Sequence, residues 1–184
     1  KKFPLTENLS LNPKNIYALS KKINEELAQL YSGLYGIQLT GLRFFTVYGE
    51  WGRPDMFIMK YIVASLQKKI FYLNNFGNHY RDFTYIKDIN KILYLLLKAK
   101  QKKKHEVLNI CSSSPVKITS VISYLNSLMT KPKLKKIPLQ TADVIKTHGS
   151  NTKLKKIISF KKFTNINSGL LNVFNWAKKN KVKF

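Results

Sequence analysis

The chain has 184 residues, and its hydrophobic share of 44% excludes an intrinsically disordered protein. Its formal net charge of +24 would attract nucleic acid or an anionic membrane, but the lysines are spread along the whole sequence without a nucleic-acid-binding motif. No apolar run reaches the roughly 18 residues of a membrane-spanning helix, and Cys111 has no second cysteine with which to form a disulfide. We therefore expect a cytoplasmic globular protein, with neither a membrane nor nucleic acid as its partner.

The first part of the sequence predicts a long helix followed by a buried strand. The helix runs from Pro13 to Tyr35, with Asn12 as its N-cap and Gly36 as its C-cap. Residues 37–49 then form an apolar, β-rich strand. A helix that leads into a buried strand is the repeating unit of a doubly wound α/β sheet.

The remaining sequence continues this mixed α/β pattern. Strands are predicted within residues 70–75, 106–110 and 133–139, the last at a sheet edge, and helices within residues 54–69, 85–100, 114–129, 152–157 and 167–180. The helix within residues 85–100 carries an apolar stripe of Ile89, Ile92, Leu93, Leu96 and Leu97. The chain has no glycine-rich turn of the kind that receives a dinucleotide, so we expect such a cofactor to need residues outside this chain.

Two tyrosine and lysine pairs have a four-residue spacing, which places each pair on one face of a helix. An ammonium group beside a phenol stabilises the phenolate and lowers the pKa of a tyrosine toward the range of a general base. Tyr17 and Lys21 lie early in the helix that leads into the buried strand, and α/β proteins bind ligands at the carboxyl ends of such strands. We favour this pair as functional and expect Tyr94, which is followed by Lys98, to lie in the core.

Arginine is rare in this lysine-rich chain. The 33 basic residues include three arginines, namely Arg43, Arg53 and Arg81. The planar guanidinium group binds carboxylate or phosphate through two parallel hydrogen bonds, which lysine does not offer. Arg53 and Arg81 are therefore candidates for binding an anionic ligand, although ion pairs with the nearby Asp55 and Asp82 explain them equally well. For Arg43, within the buried strand, we expect a structural ion pair.

The histidines and the cysteine predict neither a metal site nor nucleophilic chemistry. His79, His105 and His148 lack metal-ligand spacing, so we expect no metal and place these residues at the surface or in loops. Cys111 is expected to be a small buried residue rather than a nucleophile.

Four segments together resemble one enzyme family, in this order and spacing. They are "YALSKKINEELAQLYSGLYGIQLTGLRFFTVYGEWGRPDMFIMKYI", "NNFGNHYRDFTYIKDI", "LNICSSSPVKI" and "LQTADV". The chain is similar to the UDP-glucuronate 4-epimerases, which are NAD-dependent nucleotide-sugar epimerases of the extended short-chain dehydrogenase/reductase family. The similarity runs from Phe3 to the final helix, and "LRFFTVYG", "WGRPDM" and "RDFTYI" are its most specific parts.

The resemblance implies an α/β fold in which this chain supplies the C-terminal part of a Rossmann-type doubly wound sheet, plus a smaller α/β substrate-binding domain. Residues 1–50 would be the later helix and strand of the NAD-binding Rossmann domain. Residues 51–184 would mainly form the UDP-sugar-binding domain, with residues 80–112 returning to the Rossmann domain. The N-terminal half of the Rossmann domain would be absent, with on the order of 130 residues preceding Lys1. We therefore expect the chain alone to be inactive.

The implied activity is C4 epimerisation of a UDP-sugar, foremost UDP-glucuronate to UDP-galacturonate, through transient oxidation to a 4-keto intermediate with NAD+ as cofactor. Tyr17 would be the catalytic base, and Lys21 would hold the nicotinamide ribose and keep Tyr17 acidic. Phe44 and Phe45 match the strand end that meets the nicotinamide. These four residues are the implied cofactor-binding set.

The resemblance also implies a substrate-binding set. Its members are Thr46, Arg53, Lys60, Asn75, Arg81 and Asp143. Thr46 and Arg53 would hold the glucuronate carboxylate. Arg81 would bind the phosphate of UDP and Asp143 its ribose, whereas Lys60 and Asn75 lie in matching segments without a defined role.

Two further expectations concern partners and the loop after the buried strand. The family implies a homodimer through the helix that carries Tyr17. Glu50 replaces a usual proline, so we expect it to alter the loop that presents Arg53. Two alternatives stay open: an epimerase or dehydratase that acts on another UDP-sugar in capsule or lipopolysaccharide synthesis, and a non-catalytic basic chain that binds nucleic acid.

Overall fold

Helices and strands follow one another in a mixed α/β order in a computed structural model of the chain, which describes residues 2–100, 103–140 and 143–182. The helices are α1 (Ile16–Tyr35), α2 (Phe57–Leu66), α3 (Ile86–Lys98), α4 (Ile118–Leu128), α5 (Thr152–Ile157) and α6 (Ile166–Lys179). The strands are β1 (Leu39–Phe44), β2 (Thr46–Tyr48), β3 (Ile70–Asn74), β4 (Tyr80–Tyr85), β5 (His105–Ile110), β6 (Pro115–Lys117) and β7 (Lys133–Ile137). The predicted mixed α/β class is confirmed.

The strands pair in three small sheets that bring distant segments side by side. β1 pairs in parallel with β5, so that Phe44 lies opposite Ile110. β2 pairs in parallel with β4, so that Thr46 lies opposite Phe83, and β6 pairs antiparallel with the start of β4. β3 and β7 form a separate parallel pair, and β7 therefore lies at a sheet edge, as predicted.

Two apolar cores hold these layers together. The larger core packs α2, α4 and α6 against β2, β3 and β4, and its most deeply buried side chains include Tyr61, Leu125 and Leu170. The smaller core packs α3 and α5 against β5, through Ile92, Leu108, Ile110 and Leu154. The burial of these large side chains supplies the main driving force for folding.

The ends of α1 show which caps the chain uses. Asn15 is the N-cap, because its side chain accepts a hydrogen bond from the backbone N–H of Ala18 at 2.8 Å. The predicted start at Pro13 with Asn12 as N-cap was wrong, because the helix begins at Ile16, directly after the N-cap Asn15. Gly36 ends the helix with a φ of 66°, so the predicted C-cap is confirmed.

Other sequence predictions were wrong about the strands and about the exposed face of α3. The expected single strand at residues 37–49 is interrupted at Phe45, which separates β1 from β2, and β4 and β6 were not predicted as strands. Tyr94 is 57% exposed rather than in the core, and Lys98 lies over its ring with Nζ 4.3 Å from the ring centre. Leu97 is also exposed, so the apolar face of α3 is narrower than its sequence indicates.

Two glycines inside helices predict opposite responses to alanine. Alanine normally stabilises a helix interior relative to glycine by about 0.5–1 kcal/mol, and nothing lies within 4 Å of a Cβ atom built at Gly33 in α1. A Cβ atom at Gly169 in α6 would instead clash with the Tyr48 hydroxyl. We expect Gly33→Ala to raise the free energy of unfolding, and Gly169→Ala to lower it by about 1–3 kcal/mol. Chemical denaturation measures both, and a Gly169→Ala chain as stable as wild type would contradict this packing.

Candidate functional site

The first candidate site is a cavity of about 870 Å³ between the start of α1 and the end of β1. Tyr17 and Lys21 line it from one face of α1, and Lys21 Nζ lies 5.2 Å from the centre of the Tyr17 ring. Phe44, at the end of β1, and Phe45 line the same cavity. The structure therefore brings together the four residues predicted to bind the cofactor. Because 68% of Tyr17 is exposed, a ligand in this cavity can reach it.

The second candidate site is a small cavity of about 40 Å³ beside β2. Thr46 and Arg53 both line it, together with Phe83 of β4. Arg53 donates from Nε to Asp55 Oδ1 at 3.0 Å and from Nη2 to Asp55 Oδ2 at 2.6 Å. The structure therefore contains the ion pair that the sequence offered as an alternative role for Arg53. Both side chains are exposed, so another carboxylate can compete for this guanidinium group.

The charges around Arg53 link the two cavities. The hydrogen bond to Asp55 raises the pKa of Arg53, and Tyr17 adds to this shift, which places Tyr17 within electrostatic reach of Arg53. The same hydrogen bond lowers the pKa of Asp55, and the positive charge of Lys60 on α2 contributes to this lowering. Lys60 thus lies within electrostatic reach of Asp55, but it lines neither of the two cavities.

Glu50 anchors the loop between β2 and α2. Its carboxylate accepts hydrogen bonds from the Tyr85 hydroxyl at 2.8 and 2.9 Å and pairs with Lys87 Nζ at 3.0 Å. Burial alone would raise the pKa of Glu50, but hydrogen bonds from its own backbone, from Tyr85 and from Lys87 outweigh burial and lower the pKa. The carboxylate is therefore charged and fixed, and it holds the start of the loop that presents Arg53.

A third group of polar side chains lies where β3 ends and β4 begins. Asp143 Oδ2 accepts a hydrogen bond from Asn74 Nδ2 at 3.2 Å and lies 3.9 Å from His79 Nε2. Arg81 donates from Nη1 to the backbone carbonyl of Ile145 at 3.2 Å. Burial lowers the pKa of Arg81, and the Asp143 carboxylate opposes this shift, so the two side chains are within electrostatic reach. The structure therefore brings together two residues that were predicted to hold UDP.

Sequence reasoning missed two members of this third group. Asn74, which the sequence did not single out, donates to Asp143, whereas the predicted Asn75 donates from Nδ2 to the backbone carbonyl of Asn78 at 3.0 Å. His79 lies in the loop directly before β4, in agreement with its predicted surface or loop position, but its side chain is buried, with 5% exposed. The sequence signal for both residues is their position, because Asn74 lies near the end of the strand predicted within residues 70–75 and His79 lies between that strand and Arg81.

Arg81 and Arg43 differ in whether they form the ion pair considered from the sequence. Arg81 does not pair with Asp82, so that alternative was wrong; the Asp82 carboxylate is fully buried and accepts a hydrogen bond from Ser112 Oγ at 2.7 Å. Arg43 donates from Nε and Nη2 to the two oxygens of Glu25 at 2.8 and 2.7 Å. The structural ion pair expected for Arg43 is confirmed.

Within the described ranges, no group of three or more histidine, cysteine, aspartate or glutamate side chains could hold a metal ion. Among the same residues, no helix is long and apolar enough to cross a membrane. Cys111 is buried, as predicted, and burial raises the pKa of its thiol.

Comparison with known proteins assigns the chain to a family. Residues 1–111 match the NAD dependent epimerase/dehydratase family. The chain belongs to this family. It is 38% identical to UDP-glucuronate 4-epimerase 2 of Arabidopsis thaliana, and the match covers 89% of this chain and 42% of that protein.

Two solved structures share the fold of this family member. One is MoeE5 in complex with UDP-glucuronic acid and NAD, at a TM-score of 0.90 and 28% identity, covering 96% of this chain and 60% of that one. The other is UDP-glucuronic acid 4-epimerase from Bacillus cereus in complex with UDP-glucuronic acid and NAD, at a TM-score of 0.89 and 26% identity, covering 98% and 58%. The Rossmann-type epimerase architecture is thus confirmed, and the chain spans less than two thirds of the length of each of these relatives.

Proposed function

We propose that this epimerase-family chain forms the UDP-sugar-binding part, and the later part of the NAD-binding domain, of a UDP-glucuronate 4-epimerase. The observation that carries the proposal is the guanidinium group of Arg53, which already binds a carboxylate through two hydrogen bonds beside Thr46. Relatives solved with UDP-glucuronic acid and NAD support it. In this proposal residues 1–50 belong to the NAD-binding domain and residues 51–184 mainly to the UDP-sugar-binding domain. The parallel pairing of β1 with β5 supports the return of residues 80–112 to the NAD-binding domain.

The large cavity suits part of an NAD molecule. Its lining combines the ammonium group of Lys21 with the aromatic rings of Phe44 and Phe45, which match the ribose hydroxyls and the flat nicotinamide ring respectively. Lys21 would hold the nicotinamide ribose, and the two phenylalanines would contact the ring. When bound, NAD+ accepts a hydride from C4 of the sugar and returns it.

Tyr17 is the proposed base in this reaction. Its phenolate would take the proton from the sugar 4-hydroxyl when C4 is oxidised to the ketone. Tyr17 would give this proton back to O4 when C4 of the turned keto sugar is reduced on its opposite face. Lys21 lies four residues further along α1, with its Nζ 5.2 Å from the centre of the Tyr17 ring, and would hold the ribose beside this tyrosine.

The remaining predicted residues would hold the ribose and the two anionic groups of the substrate, which are its diphosphate and its uronate carboxylate. Arg81 would bind the diphosphate and Asp143 the ribose, and Asn75 lies in the same segment as the Asn74 that contacts Asp143. At the other end Lys60 would add positive charge near the uronate, as its effect on the pKa of Asp55 supports.

An exposed apolar stripe along α1 supports the proposed homodimer. The stripe consists of Ile16, Ile23, Leu27, Leu30 and Leu34, which are 45–86% exposed. These residues recur at helical spacing, whereas Ser32, which is the buried residue of α1, lies on the opposite face. An apolar stripe of this kind marks a protein interface, and we assign it to a second copy of the epimerase.

A second candidate function is epimerisation of a neutral UDP-hexose. The observation that favours it is the pairing of Asp55 with both donors of the Arg53 guanidinium group. With this partner, Arg53 would not need a carboxylate from the substrate. MoeE5 has also been solved with UDP-glucose and NAD.

The role of Tyr17 can be tested in the longest polypeptide that the gene encodes around this chain. Tyr17→Phe should lower the interconversion of UDP-glucuronate and UDP-galacturonate by at least about a hundredfold, because phenylalanine cannot exchange the O4 proton. Tyr94→Phe is the matched control, since Tyr94 also has a lysine four residues later but lies exposed on α3. Chromatographic separation of the two sugar nucleotides measures the rate. Retained turnover in Tyr17→Phe would contradict the mechanism.

The choice between the two candidate functions depends on Arg53. Arg53→Lys should raise the Kd for UDP-glucuronate about tenfold, because lysine cannot form the two parallel hydrogen bonds to a carboxylate. The Kd for UDP-glucose should stay within about twofold of wild type. Asp55→Asn should lower the Kd for UDP-glucuronate about two- to fivefold, because the guanidinium group of Arg53 no longer forms an exposed ion pair with Asp55. Calorimetric titration with both nucleotides measures these effects. Equal changes for the two ligands would favour the neutral sugar.

A further inference from the structure

His79 occupies a fixed and buried position directly before β4. The residue is 5% exposed, and its backbone carbonyl accepts a hydrogen bond from the N–H of Ile118, the first residue of α4, at 2.9 Å. Its Nε2 atom is buried and has no hydrogen-bond partner among the described residues. A buried polar atom without a partner costs free energy, so native proteins retain few of them without a reason.

The carboxylate of Asp143 lies close to this atom and could accept a hydrogen bond from it. Asp143 Oδ2 lies 3.9 Å from His79 Nε2, about 1 Å beyond the distance of a charge-assisted hydrogen bond. The same oxygen already accepts a hydrogen bond from Asn74 Nδ2 at 3.2 Å. Asn74 and His79 therefore face one oxygen of the carboxylate from neighbouring ends of β3 and β4.

The two partners differ in their freedom to move. The side chain of His79 is 6% exposed, whereas that of Asp143 is 29% exposed. The segment after Asp143 is docked on β4, because the N–H of Tyr80 donates to the carbonyl of Ile145 at 2.9 Å. Asp143 is thus followed by a docked segment but has a partly exposed carboxylate, which leaves this carboxylate freer to move than the buried ring of His79.

The charges around His79 favour a neutral ring that donates a proton. Burial lowers its pKa, the positive charge of Arg81 lowers it further, and Asp143 opposes both effects. In a neutral imidazole beside a carboxylate, the tautomer with the proton on Nε2 is the one that can form a hydrogen bond.

We propose that His79 is a positioning residue of the nucleotide site, whose Nε2–H closes onto Asp143 Oδ2 when a nucleoside diphosphate binds. His79 and Asn74 then hold one carboxylate oxygen from behind, and the other oxygen is presented to the ribose hydroxyls. The inference rests on the proposed function, because that function assigns the ribose to Asp143 and the diphosphate to Arg81.

The test is calorimetric titration of the chain with UDP. His79→Leu should raise the Kd about fivefold, because the Asp143 carboxylate loses one of its two donors. His79→Gln should stay within about twofold of wild type, since its amide nitrogen reaches the position of Nε2, whereas His79→Asn is too short and should resemble His79→Leu. If His79→Leu does not fold, the comparison of glutamine with asparagine decides the question.

A matched control and a double-mutant cycle separate positioning from a general effect on the fold. His105 also has a buried Nε2 without a hydrogen-bond partner among the described residues, but it lies in β5, and His105→Leu should leave the Kd for UDP unchanged. In an Asp143→Ala background, His79→Leu should cause no further loss of affinity.

The outcomes distinguish the inference from the function on which it rests. If Arg81→Leu and Asp143→Ala weaken UDP binding while His79→Leu does not, or if His79→Gln is as weak as His79→Leu, the inference about His79 is wrong and the nucleotide site stands. The inference is also wrong if the effects of His79→Leu and Asp143→Ala on UDP binding simply add in the double mutant. If the wild-type chain shows no UDP binding that depends on Arg81, the proposed function and the inference both fail.

Discussion

The carboxylate of Asp82 is fully buried in β4, where two loops that are distant in sequence surround it with hydrogen-bond donors. Ser112 Oγ donates at 2.7 Å and the N–H of Ser113 at 3.1 Å from the loop after β5, while the N–H of Gly149 donates at 3.0 Å. A buried charge is tolerated when such donors replace the water that it has lost. These bonds therefore fix both loops against β4, and the arrangement of the candidate site depends on them.

β4 in turn sets the distance between the two ends of the proposed ligand. Arg81 and Phe83 flank Asp82, and Phe83 lies opposite Thr46 in the parallel pairing with β2. Side chains on paired strands hold their relative positions more closely than those on loops. The guanidinium group of Arg81 and the small cavity at Thr46 therefore keep a constant separation. In the proposed function, the diphosphate and the uronate carboxylate of one UDP-sugar would use both.

Local patterns in the sequence predicted the class of the fold and the order of most elements, whereas contacts between distant segments were out of reach. β4 was missed because Asp82 interrupts its apolar pattern, and this charge is buried through donors from other segments. The same contrast applies to the site. The pairing of Arg53 with Asp55 spans two residues and could be proposed from the sequence, but the contact of Arg81 with Ile145 spans 64 residues and could not. Such contacts depend on how distant segments of the backbone pack together, and the spacing of apolar residues within one segment does not predict this.

The decisive measurement is a crystal structure of the chain with UDP-glucuronate. We expect the diphosphate within hydrogen-bond distance of Arg81, the ribose against Asp143, and the uronate carboxylate on Arg53 in place of Asp55. A nucleotide bound away from Arg81, or a uronate that leaves the pair of Arg53 and Asp55 intact, would contradict this expectation.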